Sequence, residues 1–180
     1  RAVWAWLNDH LTDRADNVNN RFEIAARINA GFGAVGPFWG RPRSLALAAL
    51  PERKLADYAA LGLAERRAVE RVVPRAQPVW KLYTTGAAGS QGLVGQAMIH
   101  RLSQMPGVAV WPFDAPEAQV VLAEVYPSLL TAKVAADPAP IKDEAQVRLL
   151  SRALWRLAQS SGLPPMLATP PAPVTTEEGW

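Results

Sequence analysis

The chain contains no cysteine in its 180 residues, which excludes disulfides, zinc–thiolate sites, iron–sulfur clusters and thiol catalysis together. Histidine is almost as scarce. With only His10 and His100, a histidine-rich metal site or a Ser-His-Asp triad has little material. No apolar run reaches the length of a membrane span, and no basic-then-apolar leader opens the chain, so a cytoplasmic setting is the default expectation. Charge is unremarkable in amount: 19% of residues are charged against 49% hydrophobic, and the formal net charge is +3. Such a balance suits a folded globular chain and permits weak attraction to polyanions without requiring it. An initiator methionine is also missing: Arg1 runs straight into the apolar stretch "AVWAWLNDHL", so an upstream portion is expected.

What is present is ordered along the chain. Trp4, Leu7 and Leu11 recur at three-and-four spacing within residues 2–12, the stripe of an amphipathic helix. In "NNRFEIAARINAGF", Asn20 and Glu23 have capping-box spacing, Phe22, Ala25, Ile28 and Phe32 share a face, and Gly31 suits the helix end. "GFGAVGPFWGRPR" mixes glycine and proline around Phe38 and Trp39 and must be a loop. "LAERRAVERVV" (63–73) reads as a helix stopped by Pro74, and its arginines Arg66, Arg67 and Arg71, with Arg75, interleave with Glu65 and Glu70 like a salted outer face. "VWKLY" (79–83), "VAVWPF" and "QVVLAEVYP" alternate as strands do. Helices are expected over 91–104 and 142–161, and the proline-rich end over 163–180 is expected as an extended tail.

Three features could carry chemistry. The turn "TTGAAGSQG" between a strand and a helix sets backbone N–H groups and a helix N-terminus where an anion could sit. Gly86, Gly89 and Ser90 are its candidate contacts. Its spelling is neither a dinucleotide fingerprint nor a P-loop, and close packing of helix on strand explains glycines equally, as capping explains Ser90 and Gln91. Glu124 ends an apolar strand, where an unpaired carboxylate is costly. Asp143 opens the last long helix in line with Val147, Leu150 and Leu154, so it is expected to face inward. Two converging carboxylates could hold a divalent cation, although the helix dipole alone favours an acid at Asp143. Lys81 and Lys142 are their candidate electrostatic partners.

The ordered strings "NNRFEIAARIN", "GPFWG", "PVWKLYTTGAAGSQ", "VWPF", "LAEVYPSLL", "KDEAQVRLLSRAL" and "EEGW" resemble a family of bacterial proteins commonly labelled molybdopterin-guanine dinucleotide or cobalamin biosynthesis proteins. That family in turn is similar to predicted nucleases with an RNase H-like fold, in which a strand ending in "E-x-Y-P" and an acid-bearing helix recur. The resemblance implies Glu124 and Asp143 as catalytic metal ligands, Mg²⁺ or Mn²⁺ as the cofactor, and further acidic residues on preceding strands. Thr84 and Thr85 depart from the family's more usual glycine-first turn.

The expected architecture is therefore α/β (α+β): an RNase H-like partial domain with three or more strands packed against helices and a helical N-terminal portion. It is expected as one domain over 1–180, mainly helical over 1–76, strand and helix over 77–162, and tail over 163–180. Two functional readings stand. One is an uncharacterised RNase H-like protein of metal-dependent phosphodiester or nucleotide chemistry, with a nucleotide or nucleic acid as partner. The other is an accessory or binding protein of molybdenum-cofactor or cobalamin biosynthesis, whose Phe38, Trp39 and Trp111 surface receives a flat ring or a partner protein.

Overall fold

A computed structural model of the chain describes residues 1–33, 35–73 and 76–168. The chain divides into two compact units, Arg1–Val108 and Ala109–Trp180, and mixes helix with strand.

The first unit is built on helices α1 (Ala2–His10), α2 (Arg21–Ala30), α3 (Ala68–Val72) and α4 (Gly89–Ser103), with α1 and α2 both packed on α4. Trp4 and Leu7 of α1 are buried as their spacing requires. Leu7 joins Phe22, Ile24, Ala25, Phe38, Leu50, Leu82, Leu93 and Ala97 in one apolar core. In α2 the buried side is Phe22, Ile24, Ala25 and Asn29, while Phe32 is exposed. The expected capping box does not form. Asn20 instead reaches back to α1, accepting from the Thr12 N–H at 2.9 Å and donating to the His10 carbonyl at 3.0 Å. It satisfies the end of one helix rather than the start of the next.

Between α2 and α3 the chain is irregular, as its glycines and prolines dictate. Asn29, fully buried, holds the entry of this segment through bonds to Phe38 and Ala49. Arg41 holds its middle, donating to the carbonyls of Leu50 and Leu45. The helix expected over 63–73 contracts to Ala68–Val72, and its outer face is not uniformly solvated. Glu70 is buried, accepting from the Arg67 backbone N–H at 3.1 Å and from Arg67 Nε at 2.9 Å. Pro74 and Arg75 lie outside the described residues.

The strand expected over 79–83 is absent. Residues 79–80 form a turn and Lys81 makes a single bridge with Trp39. Pro78 on one side and the glycine turn on the other leave too few residues for a ladder. The apolar side chains here fill the core instead, Leu82 directly and Trp80 edge-on to Phe38 at 5.2 Å between ring centroids.

The second unit contains the two strands found among the described residues, where three or more were expected: β1 (Val108–Val110), which begins at the unit boundary, and β2 (Val120–Leu122). A 3₁₀ turn (Pro127–Leu130) leads into α5 (Thr131–Ala135), then α6 (Lys142–Gln159) and the short α7 (Leu163–Met166). The 3₁₀ turn, α5 and α7 all pack on α6. Acids in its first turn and Arg156 in its last complement the helix dipole. Ser161, at a positive φ of 56°, ends the helix, and the Gly162 N–H folds back onto the Leu157 carbonyl at 2.8 Å. Prolines at the start of α7 are compatible with a helix N-terminus, so the expected extended tail begins with a helical turn. Residues 169–180 lie outside the described residues. Among the described residues no helix is long and apolar enough to cross a membrane.

Candidate functional site

The glycine turn sits in the first unit, ahead of α4. Thr84 and Gly86 both take positive φ, 80° and 78°, a conformation glycine adopts freely and threonine does not. Gly89 is fixed by packing. A Cβ there would lie 2.2 Å from the Val79 carbonyl oxygen and 2.7 Å from that of Lys81. Its N–H donates to the Lys81 carbonyl at 3.0 Å, so Gly89 serves the close approach of helix to preceding chain and has no proton left for a ligand. Gly92 and Gly95 meet nothing within 4 Å.

Ser90 does not cap α4. Its hydroxyl donates to the Leu82 carbonyl and accepts from Arg21 Nε at 3.2 Å. Arg21 also donates to Asn19 Oδ1 at 2.7 Å and lies 4.5 Å over the Phe22 ring. These partners are all neutral, and Arg21 has no acidic partner among the described residues. Arg21, Tyr83, Thr84, Thr85, Ser90 and Gln91 line an open groove of about 570 Å³. Lys81, which is not on the groove lining, donates from Nζ to Gln77 and to the Thr85 carbonyl of the turn, at 3.1 and 3.0 Å. Two cations are thus bonded to residues of the turn and the helix start, Lys81 to Thr85 and Arg21 to Ser90, and the turn leads into a 15-residue helix whose first N–H groups have no acceptor within the helix. A guanidinium on the lining and a helix N-terminus beside it both favour an anion.

Arg21 was not among the residues singled out from sequence. It stands 69 positions before Ser90, at the start of an unrelated helix, and no local pattern links the two.

The carboxylates are placed differently from expectation. Glu124 follows β2 in irregular chain and is exposed, and Asp143 is exposed in the first turn of α6. The stripe counted from Asp143 through Val147, Leu150 and Leu154 is turned inward only at its two leucines. Val147 is 67% exposed, whereas Ala145 is buried and Leu149, Leu150, Ala153, Leu154 and Leu157 are half-buried. Apolar residues outnumber the positions that can face the core, so leucine takes them and valine is left outside. Among the described residues no three His, Cys, Asp or Glu side chains gather where they could hold a metal ion.

Of the three aromatics named in the accessory-protein reading, two are buried. Phe38 is 7% exposed and packed on Trp80, and Trp111 is 8% exposed with its indole N–H donating to the Leu167 carbonyl at 2.9 Å. Trp39 is half-buried, with Lys81 Nζ 6.0 Å from its ring centroid. Tyr58 is buried beside this cluster, donating to the Pro37 carbonyl at 2.8 Å. Burial pushes its hydroxyl up to about 12, the neighbouring Trp39 N–H working the other way. It stays a protonated donor at neutral pH.

No family model, curated protein or solved structure matches the chain.

Proposed function

We propose that the first unit binds a phosphorylated small ligand, nucleotide-like in class, in the groove at the start of α4. The observation that carries the reading is the Arg21 guanidinium, bonded to neutral groups only and anchored on Ser90 at the groove. A guanidinium with spare N–H donors matches a phosphate oxygen pair. The hydroxyls of Thr84 and Thr85 and the first turn of α4 supply further donors. Tyr83, 46% exposed on the same lining, offers a ring face for a planar base. Isothermal titration of the full chain with pyrophosphate, AMP and ATP tests this. Binding is expected, and Arg21→Ala is expected to weaken it about tenfold or more, the equivalent of about 1.4 kcal/mol for one charge-assisted contact. Absence of binding at millimolar ligand, or an Arg21→Ala variant that binds equally, overturns the reading.

A second reading, metal-dependent phosphodiester chemistry on an RNase H-like fold, is supported by the sequence resemblance. In it Glu124 and Asp143 hold Mg²⁺ or Mn²⁺ together with further carboxylates. Its test is Mn²⁺ titration followed by paramagnetic broadening, which Glu124→Gln and Asp143→Asn must both abolish.

A further inference from the structure

Helix α6 packs with Ala145 buried and Leu149, Leu150, Ala153, Leu154 and Leu157 half-buried, against α5, the 3₁₀ turn and α7. Its remaining face presents two adjacent rows at four-residue spacing: Val147, Ser151 and Trp155, and beside them Arg148, Arg152 and Arg156. Val147 and Trp155 are 67% and 65% exposed, and Ser151, Arg152 and Arg156 are exposed as well. A tryptophan left that open is uncommon, because its large apolar area favours burial. The two apolar side chains stand two turns apart, about 12 Å along the axis at 1.5 Å per residue, with the small Ser151 forming a notch between them.

The charge on this face is lopsided. Arg148 pairs with Asp137 and follows Glu144 by one turn, so its charge is answered. Asp137 also feels Arg152. Arg156 has no acidic partner among the described residues, and no Asp or Glu occurs anywhere in 145–168. The C-terminal half of α6 is therefore positive around an exposed indole. Arginine and tryptophan are the side chains that most often dominate protein–protein binding energy.

We propose that this face of α6 docks an acidic amphipathic helix of a partner protein. The partner's apolar row fills the notch between Val147 and Trp155, ridge into groove, and its neighbouring row sets Glu or Asp at four-residue spacing against Arg152 and Arg156. A second copy of this chain, antiparallel across a two-fold, would set Arg156 near Asp143 and Glu144 of its mate, and sedimentation equilibrium separates that pairing from the proposed partner. A nucleic acid would engage the arginines and leave Val147 without a role. A lipid surface needs a broader apolar face than two side chains.

The test is fluorescence anisotropy of labelled 18-residue helical peptides titrated with the full chain. One peptide carries Leu at four-residue spacing with Glu in the adjacent row, and its counterpart carries Lys in place of Glu. The Glu peptide is expected to bind at least tenfold more tightly, and Trp155→Ala to remove that binding. The double variant Arg152→Glu/Arg156→Glu is expected to reverse the preference toward the Lys peptide. All three positions are solvent-exposed, so circular dichroism of the variants should match the parent chain. Equal affinity for the two peptides, or a preference that survives the double reversal, overturns the proposal. So does displacement of the Glu peptide by a single-stranded oligonucleotide or by anionic phosphatidylglycerol vesicles at lower concentration. Self-association in sedimentation equilibrium that Trp155→Ala abolishes would overturn it in favour of a second copy.

Discussion

Asn29 closes both backbone polar groups of Phe38. Its Oδ1 accepts the Phe38 N–H at 2.9 Å and its Nδ2 donates to the Phe38 carbonyl at 2.8 Å, while the same nitrogen reaches the Ala49 carbonyl at 2.8 Å. One fully buried amide thus stands in for the ladder that a strand would have provided. Asn29→Ala removes all three bonds and leaves buried groups unpaired, so a loss of about 2–4 kcal/mol is expected in urea denaturation. A loss below about 1 kcal/mol would mean that water or a shifted loop replaces the amide.

Two glycines of α4 separate packing from flexibility. Gly89→Ala places a Cβ 2.2 Å from a main-chain carbonyl that cannot rotate away, and an overpacking cost of about 1–3 kcal/mol or more is expected. Gly92→Ala meets nothing within 4 Å in the same helix and is expected to stabilise by about 0.5–1 kcal/mol through helix propensity. Thermal melts of the two variants should move in opposite directions.

Asp137 gives the second unit an acid-sensitive joint. The Ala139 N–H, then the Arg148 guanidinium, hold its carboxyl below the ordinary carboxylate range. A depressed value means that the stabilisation is present above the unfolded-state value and is lost as pH falls through the lower, folded one. Asp137→Asn is therefore expected to lower the melting temperature at pH 7. The difference should shrink below about pH 4, where the unfolded carboxyl begins to protonate. A gap between variant and parent that stays constant down to pH 2 would show that Asp137 acts through shape rather than charge.

If Arg21 contacts phosphate, ligand affinity should fall with ionic strength, and Arg21→Lys should retain part of it, keeping the charge but not the planar fork. Titrations of the parent chain and both Arg21 variants at 50 and 500 mM salt give that comparison. Affinity indifferent to salt would point to ring stacking on Tyr83 as the main contact.

Helix positions were legible in the sequence where the apolar period was clean. Trp4 and Leu7, the stretch around Phe22 and Ala25, and the long run from Lys142 all became helices close to the expected bounds. What one period cannot supply is the tertiary use of a side chain. Asn20 had the spelling of a cap and went to the preceding helix. Glu70 looked like one member of a solvated charge row and is buried on Arg67. Val79 to Tyr83 alternated like a strand, yet the flanking Pro78 and Gly86 confine it to one bridge. Asp143 was expected inward because α6 has more apolar residues than its packed side accommodates, and several stripes can be drawn along it. Of the groove, the glycine turn and Ser90 were readable, whereas Arg21 arrives from distant sequence through packing alone.

The meeting of Trp39 with residues 80–82 bears on how the first unit could change over evolution. The Trp39 backbone N–H donates to the Trp80 carbonyl at 3.0 Å and the Leu82 backbone N–H to the Trp39 carbonyl at 2.9 Å, which cinches residues 40–80 at the neck. Added length in a loop whose ends are already joined costs only about 0.6 kcal/mol per doubling. Exposed positions such as Arg53, Lys54 and Leu55 are thus where new sequence can be grafted while the walls of the groove keep their spacing.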